Sequence, residues 1–206
     1  MNRTNLYLFH TDYFLLQEMI VIVDYKGQYV HRIWRSLREL GEESKIVPYT
    51  TPLKEVLALK PNAIILSGGP YSVYEDESIL GDFKGFIDCG LPVLGICLGH
   101  QIIGKAFGGE VRKGESGEYA AVEIEVVEPN DLFDGLPRKL SVWESHRDEV
   151  SRMPGDFTLL AKSEVCGVEA MKHKSKDIYG VQFHPEVHHT PDGFKILKNF
   201  VGVCKK

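Results

Sequence analysis

None of the four cysteines lies in a C-x-x-C spacing, and four in 206 residues is too few for a disulfide framework. Cys89, Cys97, Cys166 and Cys204 read as free thiols of a reducing compartment, the cytoplasm. No apolar run approaches the roughly 18 residues that a membrane span requires. Positive charge is in deficit, with 24 Lys and Arg against 29 Asp and Glu. The net charge of -5 argues against nucleic acid or an anionic membrane as the main partner. No repeat, low-complexity tract or linker appears, and 43% hydrophobic with 26% charged residues fits one globular domain.

Residues 1–18 stand apart. Their short apolar clusters are broken by His10, Thr11 and Asp12, so they lack the continuous core of a signal peptide. They read as an accessory extension, or as sequence upstream of a natural start at Met19, with the domain covering residues 19–206.

What the chain does have is a series of β-α units. Residues 19–24 (MIVIVD) form a buried strand, and 29–40 place Val30, Ile33, Trp34, Leu37 and Leu40 on one helix face. A strand over 44–49, a helix over 52–59, a strand over 62–66 and a helix over 79–88 follow. This alternation predicts an α/β fold: a doubly wound, mostly parallel sheet with helices on both faces and its site at the strands' carboxyl ends. Past Gly108-Gly109 the pattern turns β-rich, with strands expected over 120–127, 139–143, 157–161, 167–171 and 178–183. The sheet is therefore mixed.

The organising stretch is Leu-Pro-Val-Leu-Gly-Ile-Cys-Leu-Gly-His-Gln, residues 91–101. A buried strand, a Gly-x-Cys-x-Gly turn and a helix make the layout of a nucleophile elbow. Gly95 and Gly99 are required because a Cβ at either would strike the crossing strand or helix. A thiol at a helix N-terminus is favoured as thiolate, so Cys97 reads as a nucleophile rather than an inert core cysteine. Upstream, Ser67-Gly68-Gly69-Pro70 ends a strand and can offer backbone N–H groups to an oxyanion. Ser67 reads as a turn cap. Downstream, His184-Pro185-Glu186 puts an imidazole and a carboxylate side by side, since residues two apart in an extended segment face the same way. His173, His188 and His189 fit exposed positions. Gln101, one helical turn beyond Cys97, can turn back toward the thiol or into solvent on spacing alone.

The order Cys, His, Glu differs from that of α/β-hydrolases, whose acid precedes the histidine. Gly-Ile-Cys-Leu-Gly-His-Gln, Ser-Gly-Gly-Pro and Gln-Phe-His-Pro-Glu together resemble the class I (triad) glutamine amidotransferases over nearly all of residues 19–206. Trp143-x-Ser145-His146-x-Asp148 and His184-Pro185-Glu186-Val187-x-His189-Thr190 are similar to the glutaminase part of GMP synthases. Anthranilate synthase glutaminases usually carry a serine where this chain has Val187. Tyr25-Lys26 and Arg147 depart from the family pattern outside the triad.

The resemblance implies a triad of Cys97, His184 and Glu186, oxyanion donors at Leu98 and Gly69, and substrate contact by Gln101. It implies glutamine as substrate, no cofactor or metal on this chain, and ATP and magnesium on a separate ATP-pyrophosphatase subunit with which it forms a heterodimer. Ser145, His146, Arg147, Asp148 and His189 are candidates for sensing that partner, from a polar turn and from the stretch after the triad. Thr190 before Pro191 is expected to cap a helix. Readings left open are a glutaminase for another synthase, a cysteine peptidase or γ-glutamyl hydrolase, and a non-catalytic assembly domain.

Overall fold

The computed structural model describes residues 19–74 and 80–205, with backbone only at residues 115 and 116. The 1–18 extension and Ile79 lie outside the described residues.

In chain order the elements are β1 (Met19–Asp24), α1 (Val30–Glu39), β2 (Glu43–Pro48), α2 (Leu53–Ala58), β3 (Pro61–Leu66), α3 (Phe83–Asp88), β4 (Val93–Ile96) and α4 (Leu98–Ala106). Then come β5 (Glu110–Glu118), β6 (Ala121–Val126), β7 (Lys139–Trp143), β8 (His146–Arg152), β9 (Phe157–Lys162), β10 (Ala170–His173), β11 (Ile178–Val181) and α5 (Gly193–Cys204). Nine strands form one sheet in the order β2-β1-β3-β4-β11-β10-β9-β6-β7. The first five run parallel and the last four alternate in direction.

Strand β1 shows why helices cover both faces. Ile20 and Ile22 enter one apolar cluster, and Val21 and Val23 enter the other. A strand with no polar face must be covered on both sides. α1 (Val30, Ile33, Leu37) and α5 (Ile196, Leu197, Phe200) cover one face. α2, α3 and α4 cover the other, through Val56, Phe83, Phe86, Leu98 and Ile102. The doubly wound reading holds.

Two strands are absent from the sequence expectation. β5 and β8 pair antiparallel as a separate two-stranded sheet, and Arg112 meets Glu149 across it at 3.1 Å. Both read as polar (EVRKGESGE and HRDEVSR), so no alternation betrays them. Residues 145–148, expected as a polar turn, therefore run into β8. His146, Asp148 and Glu149 of this strand are buried, while Arg147 and Arg152 stay exposed. The helix expected over 79–88 begins only at Phe83, where the Asp82 carboxylate accepts the Gly85 N–H. His173 is buried rather than exposed, its Nδ1 accepting the N–H groups of Ser175 and Lys176, each at 3.1 Å.

Among the described residues no helix is long and apolar enough to cross a membrane. No group of His, Cys, Asp and Glu among them is arranged to hold a metal ion.

Candidate active site

The parallel half brings four carboxyl ends together: the turn after β1, the Gly-Gly-Pro loop after β3, the elbow after β4 and the segment after β11. In open α/β sheets this edge, near the switch in strand order, is where ligands bind.

Cys97 occupies the elbow with φ +52 and ψ -104, a positive-φ conformation that few non-glycine residues adopt. Its N–H donates to Val181 at 2.9 Å, and its carbonyl accepts the Gln101 N–H at 3.1 Å. Strand β11 and helix α4 therefore both hold the turn. Added Cβ atoms explain the flanking glycines: one at Gly95 would overlap the Gly99 backbone, and one at Gly99 would overlap the Leu66 carbonyl. Space, not flexibility, sets both positions.

His184 and Glu186 meet as the sequence predicts, with Nδ1 2.8 Å from the Glu186 carboxylate. Nδ1 donates there, so the ring's other nitrogen is left for Cys97. Burial works against a charged ring at His184. The Glu186 charge and the Cys97 sulfur outweigh it and hold the imidazole well above its usual range. By linkage, a raised histidine contributes stability below its unfolded value and loses it as pH climbs through the folded one. The His184 backbone is fixed as well. Its N–H donates to the Trp143 carbonyl at 3.0 Å, and its carbonyl accepts from the Thr190 hydroxyl at 2.7 Å. The Thr190 oxygen also accepts the Trp143 N–H at 2.9 Å. Thr190 is thus a clamp on the histidine and not the expected cap, since α5 begins three residues later at Gly193.

Gly69 lies against Leu98. A Cβ on Gly69 would sit 2.8 Å from Leu98 Cδ2 and overlap the Tyr25 carbonyl. Leu98 opens α4, so its N–H belongs to the first turn, which has no intrahelical acceptor. Ser67 ties these loops, accepting the Tyr25 N–H at 3.0 Å and donating to the Gly68 carbonyl at 2.8 Å. That is the capping role expected of it.

Gln101 turns toward the site but is already engaged. Its amide nitrogen donates to the Asp148 carbonyl at 2.7 Å and to the Gln182 side chain at 3.2 Å. It still lines a cavity of about 380 Å³ together with Cys97, Tyr74, Lys113 and Asp148. A second cavity of about 240 Å³ is lined by Lys26, Tyr29, Val30, His184 and Glu186. Both share Gly69, Pro70, Cys97 and Ser145, so the thiol stands where two chambers meet.

The five partner-sensing candidates separate. The Ser145 carbonyl lies 3.9 Å from the Cys97 sulfur. His146 is buried, its Nδ1 3.0 Å from the Asp148 carbonyl, and Arg147 is exposed. The Asp148 carboxylate accepts from the Ser72 hydroxyl and, at 3.3 Å, from Tyr74, which joins β8 to the loop after Pro70. His189 is exposed and stacks on Trp143 at 4.5 Å, so it reaches His184 through Trp143 rather than through Glu186. Sequence reasoning missed Tyr29, whose ring meets His184 edge-on at 4.9 Å, and it missed Ser72 and Tyr74. Their only sequence signal is proximity to Gly27-Gln28 and Gly68-Gly69-Pro70.

The Glutamine amidotransferase class-I family model matches residues 21–203. The chain belongs to the class I glutamine amidotransferases. It is 58% identical over 188 residues to a protein of Pyrococcus furiosus named as a subunit of glutamine-hydrolyzing GMP synthase, covering 90% of this chain and 98% of that one. The protein of the same name from Methanocaldococcus jannaschii is 54% identical over 187 residues, with 90% and 97% covered. Among solved structures, the corresponding putative GMP synthase protein from Thermoplasma acidophilum superposes with a TM-score of 0.86 at 42% identity, covering 92% of this chain and 94% of that one.

Proposed function

We propose that this chain is the glutaminase subunit of a two-subunit GMP synthase, and that it hydrolyses glutamine to glutamate and ammonia. The ammonia serves a separate ATP-pyrophosphatase subunit that aminates XMP and carries the ATP and magnesium. The observation that carries this reading is the Cys97–His184–Glu186 arrangement at the elbow, in a chain matched along its length by proteins named for one half of that enzyme.

Cys97 attacks the side-chain amide carbon of glutamine. The negative charge on the amide oxygen is met by the N–H groups of Leu98 and Gly69, a contribution of about 3–4 kcal/mol for such a donor. His184 holds the thiol proton and passes it to the departing nitrogen. Water then adds to the thioester, with His184 taking its proton, and glutamate leaves. Glu186 keeps Nδ1 protonated and fixes the ring plane. The polar chamber with Gln101, Lys113 and Asp148 suits the charged amino-acid end. The chamber beside His184 lies on the side from which ammonia departs.

Glu186→Gln is expected to lower kcat about 10²- to 10⁴-fold with KM changed less than about threefold, because an orienting group acts on chemistry and not on binding. A fall in kcat smaller than about tenfold would show that Glu186 does not orient the ring.

The reading is tested by measuring glutamate release from the purified chain, by itself and with the ATP-pyrophosphatase partner, ATP, magnesium and XMP. Release is expected to be slow alone and to rise with the partner, since free ammonia is useful only where a synthetase receives it. No glutamate release in either condition would remove the proposal. Asp148 is the expected relay, because its carboxylate joins β8 to the Ser72–Tyr74 loop beside the oxyanion site. Asp148→Ala should cut stimulation by the partner more than basal hydrolysis. Equal losses in both would assign Asp148 to the basal site alone.

A further inference from the structure

Glutamine hydrolysis as derived from the triad makes no use of an acidic group buried beneath Ser145. Glu144 directly follows β7 and Glu169 directly precedes β10, and both are fully buried. Their carboxyls face each other, and none of the four oxygens meets an aligned donor among the described residues. Two carboxylates in contact and out of water cannot both stay ionised, so the pair keeps a proton between them. Burial pushes Glu144 up to about 7, while burial and the neighbouring Glu144 push Glu169 well above the usual carboxylate range. The other groups around the pair are Glu118 from β5, His146 from β8, Ser163 and Cys166 before β10, and His184 on the catalytic side, with Glu149 of β8 facing Cys166.

The same segment touches the site with its backbone. The Trp143 carbonyl accepts the His184 N–H at 3.0 Å, and the Ser145 carbonyl lies 3.9 Å from the Cys97 sulfur. The Asp148 carbonyl accepts from Gln101 at 2.7 Å and lies 3.0 Å from His146 Nδ1. A carbonyl only accepts, so His146 Nδ1 carries hydrogen there. Its Nε2 lies 3.2 Å from both Glu118 and Glu144. The backbone of residues 143–148 thus lines the catalytic side, while the side chains of Glu144 and His146 anchor it from beneath.

We infer that Glu144 and Glu169 are positioning residues whose shared proton holds the 143–148 segment against Cys97, His184 and Gln101. This rests on the reading of the Cys97 chambers as a glutamine site. When the shared proton leaves, two buried carboxylates repel and Glu144 draws away. Ser145, His146 and the Asp148 carbonyl follow it, and Gln101 loses its fixed acceptor. Grip on the amino-acid end suffers first, because Cys97, His184 and Glu186 are held by β4, α4, β11 and Thr190. Glu169→Gln removes the ionisation while keeping the volume and a donor toward Glu144.

The test is inactivation by a diazo-ketone analogue of glutamine, which must occupy the site before it alkylates Cys97. Iodoacetamide, which needs no such pocket, is the control reagent. Between about pH 6 and about pH 8.5, the wild-type KI for the analogue should rise about tenfold, with no matching inflection in the iodoacetamide rate. In Glu169→Gln the KI should stay within about twofold across that range, while Glu169→Asp, still ionisable, should retain the rise. The analogue's own amino group titrates alike with every variant and cancels in the comparison. Saturable labelling with a flat wild-type KI, or an unchanged rise in Glu169→Gln, would overturn the positioning role and leave the glutaminase reading standing. No saturable labelling of the wild type at any pH would overturn both. Should Glu169→Gln fail to melt cooperatively, the wild-type profile and Glu144→Gln, expected to be equally flat, decide the matter.

Discussion

Cys97→Ala is expected to abolish glutamine hydrolysis, by at least about 10⁴-fold, while the protein melts within a few degrees of the wild type. The loss follows because no other thiol can take its place. Cys166 is fully buried, and burial raises its thiol far above the usual range. Cys89, which directly follows α3, and Cys204, the last residue of α5, are half-buried, and each donates to a carbonyl about one turn earlier at 3.1 Å. Labelling by a glutamine-mimicking electrophile should therefore reach one equivalent, all of it at Cys97. The stability prediction follows from the backbone. A non-glycine residue at φ +52 carries strain of about 1–3 kcal/mol, and alanine keeps the same conformation and the same strain. Cys97→Gly should lose activity equally but melt higher, since glycine adopts that φ without cost. Label spread over several cysteines, or residual turnover above about 1% in Cys97→Ala, would remove Cys97 from the mechanism.

Gly99→Ala is the second large effect, and it acts on the fold and on the chemistry together. The new Cβ would overlap the Leu66 carbonyl and come within 2.8 Å of the Leu66 Cβ. Neither is the free end of a flexible side chain, so α4 must lift off β3. Overpacking of this kind costs about 3 kcal/mol, or roughly 6–12 °C of melting temperature in a chain of this size. Helix α4 carries both the Leu98 N–H and the Gln101 side chain, so a shift of about 1 Å there costs about 10²-fold or more in rate. Thermal melting by circular dichroism and glutamate release would be measured on the same sample. Wild-type values for both would show that the contact of Gly99 with Leu66 does not set the elbow.

The turn at Cys97, the His184–Glu186 pair and the parallel half of the sheet were legible in the chain because each is written in local terms. A strand covered on both faces has to be apolar at every position, as residues 19–24 are. A side chain forced up at a turn has to be flanked by glycines, as Cys97 is. His184 and Glu186 are two residues apart in extended chain, so their pairing at 2.8 Å is fixed before any tertiary contact forms.

Only the tertiary structure decided what the polar residues of 110–118 and 143–149 do. Strands β5 and β8 carry no apolar alternation, and Glu118, Glu144, Asp148 and Glu149 are buried by partners that lie far away in the chain, while Arg112, Lys113 and Arg147 stay exposed. Glu144 meets Glu169 from the far side of β9, and Asp148 meets Ser72 from the loop after β3. The environment of a charged side chain, and therefore its protonation, is set by whichever element packs over it. For this protein the local sequence determined the Cys97 turn, the His184–Glu186 pair and the sheet edge they share. The fold alone determined the second chamber, the Thr190 clamp and the buried carboxyl pair, because each depends on contacts between distant segments.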